Sequence, residues 1–387
     1  MTYNKKQLII FLSVTFGLGW LMQAIAVILY NNSSIMGFRA VLAVTMFAPI
    51  VGVLASRAPI KEMGWKPKLK GKIRFLLTAW FAPFLLTLAG AALYFLIFPT
   101  AFDLSGEYLN VSTGQEDALS QLEAQGMTYK TYLIVNIISS LLYAPWLNML
   151  FSIGEEAGWR GMLYPMLRNR FGRLYGAIIG GLIWGLWHFP VIALAGYEYG
   201  TGYFGAPVLG IFVFCIFTVS TGIIFDYLYI RTKCIWIPAL AHGSINAIST
   251  LTVAVLDLGY MDNMILGPAP NGLISVVPAV IAALLVIMND NKKIFPKSPE
   301  LTKKKNTKRS ENKTDLHSPS SSEEKTETVI PSDQVQNEKP SEAPVKPFDI
   351  VRENEEKAAK KVGSSTGKKS YPKSKGKGKK GKKNKRR

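Results

Sequence analysis

Cysteine and histidine are almost absent: the chain of 387 residues has 2 Cys and 3 His. Cys215 and Cys234 lie in or beside apolar runs, which excludes a disulfide framework and a cysteine-based zinc site and leaves them as small packing residues. Charge is also scarce before about residue 290. Residues 291–387 carry 28 Lys/Arg against 13 Asp/Glu, +15 of the chain's +19, so the high pI describes a tail and not a fold. There is no internal repeat, no folded nucleic-acid-binding module and no helical His-Glu-x-x-His motif.

What the sequence does have is long apolar runs, at about 7–29, 36–56, 74–98, 132–153, 174–196, 206–230, 234–256 and 271–288. A spanning helix needs roughly 20 mostly apolar residues. The expected fold is therefore an all-α polytopic transmembrane bundle of about eight spans over residues 1–290, with a working core at 130–260. Lys5 and Lys6 before the first run, and Ala24-Ile25-Ala26 within it, imitate a secretion signal. The run exceeds a signal core of roughly 7–15 residues, so a retained span is expected.

Basic residues alternate between loops. Arg57, Lys61, Lys66, Lys68, Lys70, Lys72 and Arg74 follow the second span, Arg168, Arg170 and Arg173 the fourth, and Arg231 and Lys233 the sixth. Residues 30–35 carry no charge, loop 99–131 holds five acids against Lys130, and loop 257–270 has only Asp257 and Asp262. The Lys/Arg bias predicts a multi-pass protein of the cell membrane with both termini cytoplasmic. Within the long loop, apolar positions 118, 119 and 122 suit a short surface helix. The tail, 291–387, is too polar to build a core and is expected to be disordered. Its last twenty residues hold twelve Lys/Arg, a charge that suits anionic lipid or an acidic polymer.

Strong polar groups inside apolar runs are expensive and mark working sites. Three clusters qualify: Glu155-Glu156-Ala-Gly-Trp-Arg160, Trp184-Gly-Leu-Trp-His188, and His242-Gly-Ser-Ile-Asn246. Neighbours on a helix point about 100° apart, so Glu155 and Glu156 face different ways. Glu156 and Arg160, at i and i+4, form a supporting ion pair, which frees Glu155 for a site. His188 precedes Phe189-Pro190, where a helix cannot continue normally. His242 and Asn246 share one face. Two chemistries fit. In one, Glu155 and His188 activate a water while His242 and Asn246 stabilise an oxyanion on a peptide carbonyl. In the other, Glu155, His188 and His242 ligate a divalent metal such as zinc that activates the water. A helix from Tyr132 to Leu167 would be about 54 Å long, beyond a ~30 Å core, which predicts a kink at Pro145 or a break at Gly154 or Gly158.

The ordered pattern Glu-Glu-x-x-x-Arg, aromatic-x-x-x-His and His-x-x-x-Asn resembles the family of CAAX-processing and bacteriocin-immunity proteases, the Abi proteins, over roughly 130–260. The resemblance implies intramembrane endopeptidase activity on a membrane-associated peptide or protein. It assigns Glu155 and His188 to water activation, His242 and Asn246 to the oxyanion, and Glu156 and Arg160 to support. The family's second motif usually opens on Phe; Trp184 stands there and keeps an aromatic wall. Some relatives have lost the glutamates and act as non-catalytic regulators, so the alternative is a membrane scaffold acting through its basic tail. A proton or ion transporter is a third reading, weakened because the strong acids at depth are one adjacent pair.

Overall fold

The computed structural model describes residues 4–67 and 69–289; the tail expected over 291–387 lies outside the described residues. Helices form wherever the sequence supplies an apolar run. α1 (Lys5–Asn31) opens with a reciprocal cap between Asn4 and Gln7. α2 (Ile35–Thr45) and α3 (Ala48–Ala55) cross as one apolar stretch, and α4 (Ile73–Ile97) is continuous. The long loop holds two short helices, α5 (Glu107–Thr113) and α6 (Ala118–Ala124), the second where the surface helix was expected. α7 (Tyr129–Leu142), α8 (Ala144–Gly158), a π-helical turn (Trp159–Leu163) and α9 (Tyr164–Phe171) follow. Then come α10 (Arg173–Trp187), α11 (Phe189–Ala195), α12 (Val208–Thr232), α13 (Trp236–Val253) and α14 (Val277–Asn289). No strand occurs among the described residues, only an isolated antiparallel bridge between Phe102 and Leu256.

Each of the eight expected spans meets a helix. Four stretches are long and apolar enough to cross a membrane unaided, and two more cross as bent pairs: α7 with α8–α9 at 55°, and α10 with α11 at 41°. The first bend falls at Tyr143, two residues before Pro145, as the length argument required. The last two spans are short. α13 has 18 residues and is interrupted by His242, Ser244, Asn246, Ser249 and Thr250. α14 has 13 and starts later than expected because Gly267, Pro268, Pro270 and Gly272 hold residues 267–276 in turns.

The bundle has two unlike poles. At one, Lys72 donates to the Thr232 carbonyl, Ile235 N–H to the Gly64 carbonyl and the Trp236 indole to the Trp65 carbonyl. Those contacts gather the basic loops, and Arg168 grips Asp226 through both carboxylate oxygens at 2.7 and 2.6 Å beside them. At the other pole Asp103 N–H donates to Val255, Asp257 N–H to Ala101, and the Tyr129 hydroxyl to Ala254. The Tyr199 hydroxyl reaches the Asn271 carbonyl at 2.8 Å. The loops with few bases therefore meet at this end.

Close helix approach positions the site. Gly154 and Gly158 form a G-x-x-x-G step on α8; a Cβ on them would lie 2.6 Å from the Met46 carbonyl oxygen and 2.4 Å from Pro49 Cβ. On another side of α8, Gly243 of α13 sits so near that its Cβ would lie 2.5 Å from the Pro145 carbonyl oxygen. α8 is thus clamped between α3 and α13, and Glu155 and Glu156 lie within the clamped stretch. Cys215 and Cys234 are buried free thiols, as packing residues should be.

Candidate active site

Glu155 is 2% exposed, and one of its oxygens is fully engaged. The Trp159 indole N–H donates to Oε2 at 2.9 Å and the Trp184 indole N–H donates to the same atom at 2.7 Å. Trp159 is one turn beyond Glu155, at the start of the π turn; such turns are frequent at functional sites. With Oε2 fixed by two donors, Oε1 is the oxygen left for a ligand. Glu155 lines a cavity of about 560 Å³, together with Trp184, His188, His242 and Asn246. All four residues expected to do chemistry therefore line one space.

Glu156 is turned away from that space and fully buried. Its Oε1 accepts from Arg160 at 2.9 Å, the expected i,i+4 pair, and also from Nδ1 of His242 at 2.9 Å. The second bond joins residues 86 apart in sequence and makes Glu156 the orienting partner of His242. Arg160, also 0% exposed, leaves Nε and Nη2 without hydrogen bonds among the described residues. Its guanidinium instead faces the rings of Trp184, Tyr164 and Phe225 at 4.5, 4.7 and 5.1 Å. Trp184 thus holds Glu155 by its N–H, Arg160 by its face and His242 by a ring contact at 5.3 Å.

His188 occupies the break between α10 and α11. Its Nδ1 lies 3.0 Å from the Trp184 carbonyl. A carbonyl only accepts, so Nδ1 carries the proton and Nε2 is the free acceptor. The break leaves backbone groups unpaired deep in the bundle, where each costs free energy comparable to a lost hydrogen bond. Gln23 of α1, 1% exposed, meets this demand: its Nε2 donates to the Trp187 carbonyl at 2.9 Å and its Oε1 accepts from Val191 N–H at 3.3 Å. The Trp20 indole adds a donor to the same carbonyl at 3.1 Å. Three residues missed in the sequence, Gln23, Trp20 and Trp159, therefore hold the chemistry in place.

Glu155, His188 and His242 share the cavity wall, but no group of three His, Cys, Asp or Glu side chains with metal-holding geometry occurs among the described residues. Glu155 Oε2 serves two indoles, and Nδ1 of each histidine is bonded elsewhere. Those bonds leave Glu155 Oε1 and Nε2 of each histidine as the atoms that a divalent metal would have to use. A separate void of about 30 Å³ between α4, α12 and α13 has no titratable lining.

The cavity continues past the core to Tyr30, Arg39, Tyr108, Tyr197, Glu198 and Asn271. Glu198 is the single acid of the loop after α11 and adopts φ 72°, a left-handed conformation uncommon for a non-glycine residue. Burial raises its carboxyl above the usual carboxylate range, against the opposing contacts of Tyr197 and Asn271.

Residues 131–248 match the family described as type II CAAX prenyl endopeptidase, Rce1-like. A similar curated relative is CAAX prenyl protease 2 of Methanococcus maripaludis, 26% identical over 153 residues, which is 39% of this chain and 51% of the relative. The chain thus spans about half the length of the curated relative it matches. The matched segment contains Glu155, Glu156, Arg160, Trp184, His188, His242 and Asn246. On these matches, added to its three ordered motifs, the helical core over residues 131–248 is similar to the CAAX-protease and bacteriocin-processing family.

Proposed function

We propose that the protein is an intramembrane endopeptidase of CAAX-protease type that hydrolyses a peptide bond within the bundle cavity. The observation that carries this proposal is the fixed Glu155 carboxylate, held by two indole donors in a cavity that His188, His242 and Asn246 also line. Glu155 Oε1 and His188 Nε2 are two acceptors for the protons of one water. The hydroxide attacks the peptide carbonyl carbon, and the oxygen of that carbonyl becomes an anion. His242 Nε2 and the Asn246 amide are the donors for it. Removing one such donor typically costs about 10²–10³ in kcat. A donor role for His242 Nε2 requires both ring nitrogens to carry protons, with Glu156 as the counter-charge on Nδ1. The proton taken from water then passes to the leaving amine as the tetrahedral intermediate collapses.

The protein lies in the cell membrane with its basic pole, and both termini, toward the cytoplasm. On this reading the Lys-rich tail binds anionic lipid headgroups or an acidic polymer there, at roughly 1 kcal/mol per basic residue near the surface. Comparative peptidomics of cells carrying the intact protein or Glu155→Gln tests the activity. Peptides present only with the intact protein are the expected result. Identical peptide sets, with the cellular phenotype of the intact protein kept by Glu155→Gln, would favour the non-catalytic scaffold.

A further inference from the structure

The direction in which the cavity opens follows from which ends of the helices line it. From α10 it takes Trp184 and Trp187 at the C-terminal end, and nothing from the basic Arg173 end. From α13 it takes His242, Ile245, Asn246, Ser249, Thr250 and Val253, and nothing from the Trp236 end. From α1 it takes Gln23 and Tyr30, and from the second crossing only residues 38–46. Its remaining walls are Glu155 of α8, Val191 and Ala195 of α11 and Phe214, Phe217 and Phe225 of α12 around the deep part, and then residues of the pole with few bases: Tyr108, Gly196–Glu198, Met264, Pro270 and Asn271. Burial follows the same axis. Glu155 and His242 are buried at the deep end, whereas Tyr30, Arg39 and Thr250 are exposed at the mouth. Among the described residues, none from the basic loops 57–74, 168–173 or 231–233 lines it.

We propose that substrate enters this protein from the non-cytoplasmic side of the membrane, as a peptide segment presented at the outer face and not as the tail of a cytoplasmic protein. The proposal rests on the peptidase reading for what happens inside the cavity, and on charge asymmetry for which pole faces out. The loops at the mouth carry Asp103, Glu107, Glu116, Asp117, Glu123, Glu198, Asp257 and Asp262 against Arg39 and Lys130, while the far pole collects the bases. From Thr250 to His242 the wall runs about 12 Å, at 1.5 Å per residue of helix. An extended chain rises ~3.3 Å per residue, so the cavity admits about four residues of a peptide before its carbonyl meets the Glu155 water. A wall of Tyr30, Phe38, Tyr108, Tyr197 and Phe214 suits apolar side chains, and Arg39 and Glu198 at the mouth offer one charge of each sign.

Cysteine labelling tests the direction without using activity. Both native cysteines are buried, so the unaltered chain is the blank. Thr250→Cys at the mouth, Ser249→Cys within the cavity and Lys61→Cys on the basic pole are each expressed in the full chain. Cells are then exposed to a charged, membrane-impermeant maleimide before or after permeabilisation. The expected result is labelling of Thr250→Cys and Ser249→Cys in intact cells and of Lys61→Cys only after permeabilisation, in a Glu155→Gln background as well. Labelling of Lys61→Cys in intact cells, or of the two cavity positions only after permeabilisation, overturns the proposal. A reporter peptide added outside, or tethered at the cytoplasmic face, separates the two claims. Outside labelling without cleavage of either peptide removes the peptidase and keeps the outward mouth; cleavage of the cytoplasmic peptide alone removes the outward entry.

Discussion

Trp184→Phe isolates a single hydrogen bond at the centre of the site. The substitution removes the indole N–H that donates to Glu155 Oε2 at 2.7 Å and keeps an aromatic face for Arg160 and His242. Phenylalanine is the residue the family's second motif usually carries, so the fold should tolerate it. A hydrogen bond to a charged group contributes about 1.5–3 kcal/mol. Trp159 still donates to the same oxygen at 2.9 Å, so Oε2 keeps a partner and the lower end of that range applies. If the bond acts by aiming Oε1 at the water, about 1.5 kcal/mol appears in the barrier, roughly a tenfold fall in kcat. KM should stay within about twofold, because no substrate contact is removed. The assay is steady-state cleavage of a membrane peptide in detergent, with thermal unfolding measured on the same sample. Trp159→Phe should act alike, and the double variant should cost more than the product of the two, since Oε2 is then orphaned. Unchanged kcat in Trp184→Phe, with the double variant impaired only in stability, would refute the clamp and leave the tryptophans as packing.

Glu156→Gln should unfold the protein more readily than Glu155→Gln, because it strips the counter-charge from a fully buried Arg160 and from His242; breaking a buried pair costs about 3–5 kcal/mol, read as a lower unfolding temperature. Gln23→Leu leaves the Val191 N–H without its acceptor and weakens the cap on the Trp187 carbonyl, so about 1–3 kcal/mol of stability should be lost, with kcat falling as His188 loses its fixed place. Glu198 sets a pH dependence. Its raised carboxyl favours the protonated form in the fold, so its contribution is fully present below the ordinary carboxylate range and is lost as pH rises through the raised value. Glu198→Gln, neutral at every pH, should flatten that decline in a thermal-shift series; an unchanged slope would place the titration elsewhere.

The bundle was legible because apolar length is a strong signal, and the bend before α8 followed from helix length alone. Within the site, the same i,i+4 rule that pairs Glu156 with Arg160 also pairs Glu155 with Trp159, but an indole in an apolar run gives no sign that its N–H serves a carboxylate. The bond from Glu156 to His242 crosses from α8 to α13 and depends on the close approach at Gly243, which no local pattern encodes. Gln23 is the clearest case. One polar residue in the first span reads as a tolerated exception until the broken helix at His188 shows which backbone groups need it. Glu198 carried a usable signal, a lone acid in an otherwise uncharged loop, although its place in the cavity depends on how residues 196–207 fold over the bundle.

The central claim is that this carboxylate and this imidazole activate one water without a metal ligand set. Its most direct measurement is the rate at which purified protein cleaves one membrane peptide, compared for the unaltered chain, Glu155→Gln and His188→Ala, each with and without a strong chelator. The account predicts that both substitutions abolish cleavage while leaving the unfolding temperature close to that of the unaltered chain, and that the chelator changes nothing. Activity lost on chelation and restored by added divalent metal, or cleavage that survives Glu155→Gln, would contradict it.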